Sequence, residues 1–88
     1  MKDLRTARKF RRDLKRITRR GLDRDRLDEV IDLLLIGEPL EEAHRDHQLE
    51  GDWKGWRECH IAPDWLLIYQ TTEDEVMLAR TGSHSDLF

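Results

Sequence analysis

The chain has 88 residues, of which 38% are hydrophobic and 40% charged, and its formal net charge is −3. This composition predicts one small cytoplasmic domain and excludes a membrane protein, because no segment approaches the roughly 20 apolar residues of a membrane-spanning helix. The charged start lacks the apolar stretch of a signal peptide, and the single cysteine, Cys59, excludes an internal disulfide.

A short strand and a helix are predicted at the start of the chain. Residues 1–5 are typical of an edge strand, and Thr6 is a suitable N-cap for a helix that extends to about Arg20. Gly21 then ends this helix. Its apolar residues recur at a helical spacing and form a narrow stripe on a basic surface: Phe10, Leu14 and Ile17.

A second amphipathic helix follows after a tight turn. Asp23 is its predicted N-cap, and Gly37 with Pro39 ends it. The two helices therefore form a helical hairpin. The apolar stripe of the second helix is wider and contains Leu27, Val30, Ile31, Leu34 and Leu35.

The second half of the chain predicts a polar loop and three strands. The loop covers residues 39–52, and the strands cover residues 53–61, 65–71 and 76–81. The short connections between the strands favour an antiparallel meander. The predicted fold class is α+β, with an N-terminal helical hairpin packed on one face of a small, mainly antiparallel sheet.

Charge is distributed unevenly along the chain. Residues 1–26 carry a net charge of +8, residues 27–50 carry −7, and the remainder carries −4. A basic block of this kind favours a polyanion or an acidic protein segment as its partner. It is equally typical of the solvated face of a helix, and composition alone favours this second interpretation.

Four polar residues are predicted to meet at one end of the sheet. In an antiparallel meander, the end of the first strand and the end of the third both lie beside the start of the second. This topology brings together His60, Asp64, Arg80 and His84. Histidine can exchange protons near neutral pH, and arginine binds phosphate oxygens. The set therefore suits cleavage of the RNA phosphodiester bond.

Two stretches carry an ordered series of short motifs, DHQLEGDWKGWRECHIAPDWLLIYQ (residues 46–70) and RTGSHSDLF (residues 80–88). With the rest of the chain, they resemble the YafQ branch of the RelE/ParE toxin superfamily, whose members are the toxins of bacterial type II toxin–antitoxin modules. The resemblance covers residues 1–88 as a single toxin domain. The active-site residues that it implies are His47, His60, Asp64, Trp65, Arg80, His84 and Phe88.

The resemblance implies an mRNA interferase, a metal-independent endoribonuclease that cuts messenger RNA in the ribosomal A site without a cofactor. His84 and Asp64 are the expected acid–base pair, and His47 and His60 are expected to assist proton transfer or orient the RNA. Arg80 would stabilise the charged phosphate. Trp65 and Phe88 would stack on unpaired bases.

The resemblance also implies a protein partner. A cognate antitoxin is expected to wrap the toxin in an assembly with two copies of each chain. That assembly is expected to bind operator DNA only through the antitoxin. The basic first helix, in residues 6–20, is the predicted docking surface for an acidic antitoxin segment. No association with a membrane is expected.

Other interpretations remain open at this stage. A ParE-like toxin would bind DNA gyrase and cut nothing, and a plain interaction module would leave the site unused. A zinc site would need His44, His47, Cys59 and His60, but adjacent strand residues point to opposite faces. His44 is otherwise interpreted as an exposed loop residue. Arg80 has a possible ion-pair partner in Glu58.

Overall fold

The computed structural model describes residues 1–88 and contains five strands and three helices. The predicted helical hairpin and α+β fold class are confirmed. In chain order the elements are β1 (Asp3–Thr6), α1 (Arg8–Arg19), α2 (Arg24–Ile36), β2 (His47–Gln48), β3 (Arg57–Ala62), β4 (Trp65–Thr71), β5 (Glu75–Gly82) and α3 (His84–Leu87).

The five strands form one mixed sheet in the order β1-β5-β4-β3-β2. Strands β3, β4 and β5 form the predicted antiparallel meander. Strand β2 adds a short antiparallel edge on one side, and β1 pairs in parallel with β5 on the other. The parallel pairing follows from the chain path, because the helical hairpin and the meander separate the two strands.

Two predicted element boundaries are wrong, and one strand was not predicted. Helix α1 has Ala7 as its N-cap, and the predicted cap Thr6 belongs to β1, where it pairs with Leu78. The first strand of the meander begins at Arg57, because Gly51–Trp53 forms a 3₁₀ turn instead of extended backbone. The loop predicted between the hairpin and the meander contains β2, which was not expected.

The boundaries of α2 are those that the sequence predicts. The Asp23 side chain accepts a hydrogen bond from the backbone N–H of Asp25 at 3.0 Å. Gly37 ends the helix with a φ of 80°, a left-handed conformation that glycine adopts without steric cost. No helix in the protein combines the length and apolar character needed to span a bilayer.

Strict alternation along β4 divides the apolar residues between two clusters. Trp65, Leu67 and Tyr69 face α1 and α2 and belong to the main core of 13 buried residues. Leu66 and Ile68 point to the opposite face, where they form a smaller cluster with Ala79 and Leu87. The central strand is therefore buried on both faces, although only one face carries the helical hairpin.

Loss of the α2 cap should destabilise the protein measurably. We expect Asp23→Ala to lower the free energy of unfolding by about 1 kcal/mol, because it leaves a helix N-terminal N–H without its acceptor. Urea denaturation would measure the change. Asp32→Ala, at an exposed position inside the same helix, is the matched control and should change the free energy by less than about 0.5 kcal/mol.

Candidate active site on the open sheet face

The face of the sheet opposite α1 and α2, called here the open face, carries most of the predicted site residues. Successive pairings place His47, Glu58, Ile68 and Arg80 in one row across four strands. Paired residues project from the same side of a sheet. Because Ile68 belongs to the cluster on the open face, the side chains of His47 and Glu58 lie there too. Arg80 stands beside a register shift of the β4–β5 ladder, on the part of β5 that β1 does not cover, so its side chain lies at the edge of this face.

The next row places His60 opposite Leu66, which pairs with Gly82 on β5. His60 therefore projects from the open face, one step along β3 from the row that contains Arg80. Its neighbour Cys59 points into the main core and is fully buried. Burial raises the pKa of the Cys59 thiol and keeps it protonated.

His47 is held between two hydrogen-bond acceptors. Its Nδ1 lies 2.7 Å from the carbonyl oxygen of Arg45, and its Nε2 lies 3.0 Å from the carboxylate of Glu58. A carbonyl only accepts, so Nδ1 carries a proton. Nε2 is therefore the ring nitrogen that faces the Glu58 carboxylate.

Glu58 is an unusual member of this row because it is 7% exposed. Its second carboxylate oxygen, Oε1, is buried and has no hydrogen-bond partner. The motif positions did not identify Glu58 as part of the site.

A hydrogen-bonded aspartate restrains the loop that carries His47. The preceding residue, Asp46, accepts hydrogen bonds from the Tyr69 hydroxyl at 2.5 Å and from Arg57 Nε at 3.2 Å. Burial raises the pKa of Tyr69, and the bond to Asp46 raises it further. The same carboxylate raises the pKa of Arg57. The backbone that carries His47 is therefore held in place, and the His47 side chain projects from it onto the open face.

Arg80 forms its ion pair with Asp13 of α1, and not with Glu58, which was the alternative partner considered from the sequence. Its Nε and Nη2 donate to the Asp13 carboxylate at 2.7 and 3.1 Å. Ile68 lies between Glu58 and Arg80 in the row, so the two charges are two strands apart. The hydrogen bond to Asp13 raises the pKa of Arg80.

Asp13 is the residue that sequence reasoning missed most clearly. It is 1% exposed and also accepts the backbone N–H of Thr81 at 3.1 Å. A signal was present, because Asp13 stands three residues after Phe10 and four before Ile17, within the apolar stripe of α1. A carboxylate in that stripe indicates a buried cationic partner.

The C-terminal helix α3 brings His84 to the end of the open face. The backbone N–H of His84 donates to Asp64 Oδ1 at 3.0 Å. The imidazole of His84 lies beside the ring of Phe88, with 5.1 Å between ring centroids. Both rings are solvent-exposed, and Phe88 is 55% exposed. His84, Asp64 and Phe88 are therefore neighbours.

Asp86 connects α3 to the end of α1 through a salt bridge with Arg20. Its carboxylate accepts two hydrogen bonds from Arg20, at 2.6 and 3.0 Å, and one from the backbone N–H of Ser83 at 2.9 Å. The bond from Arg20 is the main reason that the pKa of Asp86 lies well below its usual range. Gly82 leaves the room that this contact needs, since a Cβ there would lie 2.9 Å from Asp86 Oδ2.

Trp65 does not occupy the position that base stacking requires. It is 2% exposed and faces the helices, and its indole N–H donates to Thr81 Oγ1 at 2.9 Å. The base-stacking role predicted for Trp65 is therefore wrong. The reason is alternation: Leu66 projects from the open face, so its neighbour Trp65 projects into the main core.

His44 also differs from expectation. It is half-buried instead of exposed, and its Nδ1 lies 2.7 Å from the carbonyl oxygen of His60. This contact ties the loop to β3. Within residues 1–88, no group of three or more His, Cys, Asp or Glu side chains is placed to hold a metal ion. The four residues of the zinc interpretation therefore do not form a site.

Comparisons with known proteins agree on one family. Residues 2–88 match the model of a family described as the bacterial toxin of type II toxin–antitoxin system, YafQ. The mRNA interferase toxin YafQ of Escherichia coli strain K12 is 36% identical over 88 residues, which cover 99% of this chain and 96% of that protein.

Two solved structures show the same fold. A copper-bound mutant toxin from Helicobacter pylori is 44% identical and superposes with a TM-score of 0.95, with all of both chains covered. The toxin in the Escherichia coli DinJ–YafQ complex is 36% identical and superposes with a TM-score of 0.92, covering 99% of this chain and 97% of that one.

The Asp86 contacts should make stability depend on acid pH. The pKa of Asp86 is lower in the folded chain than its ordinary value of 3.8. Its stabilising effect is therefore complete above pH of about 5, begins to decrease below pH of about 4, and is lost only as the pH falls through the lowered pKa of the folded chain. We expect Asp86→Asn to lower the thermal midpoint at pH 7, and we expect the difference from the wild type to shrink steadily as the pH is lowered below about 4. A difference that stays constant down to the lowest pH at which both proteins fold would contradict this interpretation.

Proposed function

Because the chain belongs to the YafQ family of toxins from bacterial type II toxin–antitoxin systems, we propose that it is an endoribonuclease that cuts messenger RNA in the ribosomal A site. The relative from Escherichia coli is named an mRNA interferase toxin. The observation that carries the proposal is the open face, where His47, His60 and Arg80 occupy two adjacent rows and His84 stands at their end.

Cleavage begins when the 2′-oxygen of a ribose attacks the adjacent phosphorus and loses its proton to a base. The bond from phosphorus to the 5′-oxygen of the next nucleotide then breaks, and an acid protonates the leaving oxygen. The products are a 2′,3′-cyclic phosphate and a free 5′-hydroxyl. Each positioned proton-transfer group contributes about 10²–10⁴-fold to such a rate. These steps need no metal or other cofactor.

We assign the acid–base pair to His84 and Asp64. They are neighbours, and only one oxygen of Asp64 accepts the backbone N–H of His84. The second oxygen, Oδ2, is left for a proton transfer. His47 and His60 assist proton transfer or orient the RNA, and the contact between His47 Nε2 and Glu58 fixes the direction of the His47 ring on the same face.

Arg80 is suited to stabilising the charged phosphate. Asp13 takes two of the five guanidinium N–H groups. Three remain for phosphate oxygens, and the buried carboxylate fixes their direction. Such preorganised cations act most strongly on charge that develops in the transition state. Phe88, with its exposed ring beside His84, replaces Trp65 as the residue proposed to stack on a base.

We propose that residues 1–88 act as one toxin domain, because the site draws on both ends of the chain. Asp13 in α1 holds Arg80 in β5, and Arg20 after α1 holds Asp86 in α3. Removal of either end would therefore disturb the residues that are proposed to act on RNA.

A cognate antitoxin is the second proposed partner. The Escherichia coli toxin has been solved in complex with DinJ. We propose an assembly with two copies of each chain that binds operator DNA through the antitoxin. An acidic antitoxin segment suits the basic side of α1, because six cations of this helix have no carboxylate within ion-pair distance: Arg8, Lys9, Arg11, Arg12, Lys15 and Arg19.

His84→Ala and Arg80→Lys should each reduce cleavage at least tenfold. His84→Ala removes a proton-transfer group, and Arg80→Lys keeps a positive charge near Asp13 but loses the planar fork. Arg80→Ala is less informative, since it would leave the Asp13 carboxylate buried without its cation. Primer extension on messenger RNA in a defined ribosomal complex would measure the cuts.

Ser85→Ala is the matched control, because Ser85 is exposed beside His84 in α3. It should cut at the wild-type rate. Near-wild-type rates for both His84→Ala and Arg80→Lys would contradict the assignment. If the folded wild-type protein makes no cut in ribosome-bound RNA, the nuclease proposal fails and DNA supercoiling assays become the next test.

The antitoxin surface can be tested separately from cleavage. We expect replacement of Arg8, Arg12, Lys15 and Arg19 by glutamine to weaken binding of the antitoxin at least tenfold, because four charges facing an acidic segment are removed. Isothermal titration calorimetry at two salt concentrations would measure the change and its salt dependence. Unchanged affinity would rule out this side of α1 as the docking surface.

A further inference from the structure

The open face carries a pair of tryptophans that the proposed reaction does not use. Trp53 and Trp56 are half-buried and meet edge to face, with 5.9 Å between ring centroids. Both pack against the smaller apolar cluster on the open face. Part of each ring stays accessible, unlike that of the buried Trp65.

Trp56 stands next to the cross-strand row. The backbone N–H of Leu49 donates to the carbonyl of Trp56 at 2.9 Å, which extends the β2–β3 ladder by one residue. Trp56 is two residues before Glu58, so its side chain shares the open face about 7 Å along the strand. His84 and Phe88 lie at the other end of the face. Aromatic rings therefore flank the row on both sides.

A cavity of about 400 Å³ lies beside Trp56. Its wall is fixed by Gln70, whose Nε2 donates to the carbonyl oxygen of Gly55 at 3.0 Å. The polar side chains that line it on the side of Trp56 include the amide of Gln70, the cation of Lys54 and the carboxylate of Glu50. An aromatic face beside polar groups of this mixed kind matches a nucleobase, which is flat and carries donors and acceptors on its edge.

We propose that Trp56 and this cavity form a subsite for one nucleobase of the RNA whose phosphate lies over the cross-strand row. The base stacks on Trp56, and its edge faces Gln70 and the other polar groups of the cavity. The subsite would act with Phe88, which stacks on a base on the other side of the scissile phosphate. This inference rests on the proposed nuclease function and adds a residue that holds substrate.

The test combines Trp56→Leu with RNA that lacks one base. Messenger RNAs with a single abasic nucleotide at each position around the cut are bound in ribosomal complexes, and single-turnover cleavage rates are measured. We expect Trp56→Leu to slow cleavage of intact RNA about fivefold or more, as loss of a stacked base does. At one abasic position the variant should cut as fast as the wild type, because the stacking partner is already absent.

Trp53→Leu is the matched control, since it removes an indole from the same cluster that does not line the cavity. At every abasic position, the fold reduction in cleavage rate caused by Trp53→Leu should multiply the reduction caused by the missing base. Trp56→Phe should restore cleavage to within about threefold of the wild type. The subsite is refuted if Trp56→Leu cuts intact RNA at the wild-type rate. It is also refuted if the rate reductions caused by Trp56→Leu and by the missing base multiply at every abasic position. In both cases the nuclease proposal still holds. Failure of wild-type cleavage refutes the nuclease proposal itself.

Discussion

The buried carboxylate of Asp13 links the helix layer to the candidate site. It accepts hydrogen bonds from Arg80 and from the backbone of Thr81, on the part of β5 that β1 does not cover. Thr81 in turn accepts from Trp65 and donates to the carbonyl of Leu66. A charge with this degree of burial is tolerated only when it is paired and fully hydrogen-bonded. The position of Arg80 and the packing of α1 therefore depend on the same group.

Alternation along the strands separates stability from chemistry. On β3, Cys59 and Ile61 enter the main core, while Glu58 and His60 face the other way. On β4, both faces are apolar, so the central strand is rigid beneath the proposed site. Groups that must meet a phosphate are held best by such a support, because their backbone has little freedom to move. The loop that carries His47 has its own restraint in Asp46, Tyr69 and Arg57.

The overall negative charge does not describe the surface that RNA would meet. Many acidic residues lie in residues 27–50, whereas His47 and His60 lie on the open face, with Arg80 at its edge and His84 at its end. The basic residues in and directly after α1 divide into two groups. Arg16 and Arg20 pair with acids that hold the structure together, while the six cations without ion pairs remain for a macromolecular partner. Local placement of charge, more than its sum, decides which partners the protein can bind.

The sequence by itself determined the helical hairpin, the meander and the family, whereas the short helix α3 was not predicted. Asp23 and Gly37 mark the ends of α2 through local backbone chemistry, and the apolar run of β4 predicts a strand without help from other elements. The order of the motifs identified the polar residues that belong to the site. Only the tertiary structure decided which groups these residues touch. Arg80 pairs with Asp13 across 67 positions of sequence, Trp65 turns inward, and β1 joins β5 in parallel, because each outcome depends on packing between distant segments, which local pattern does not encode.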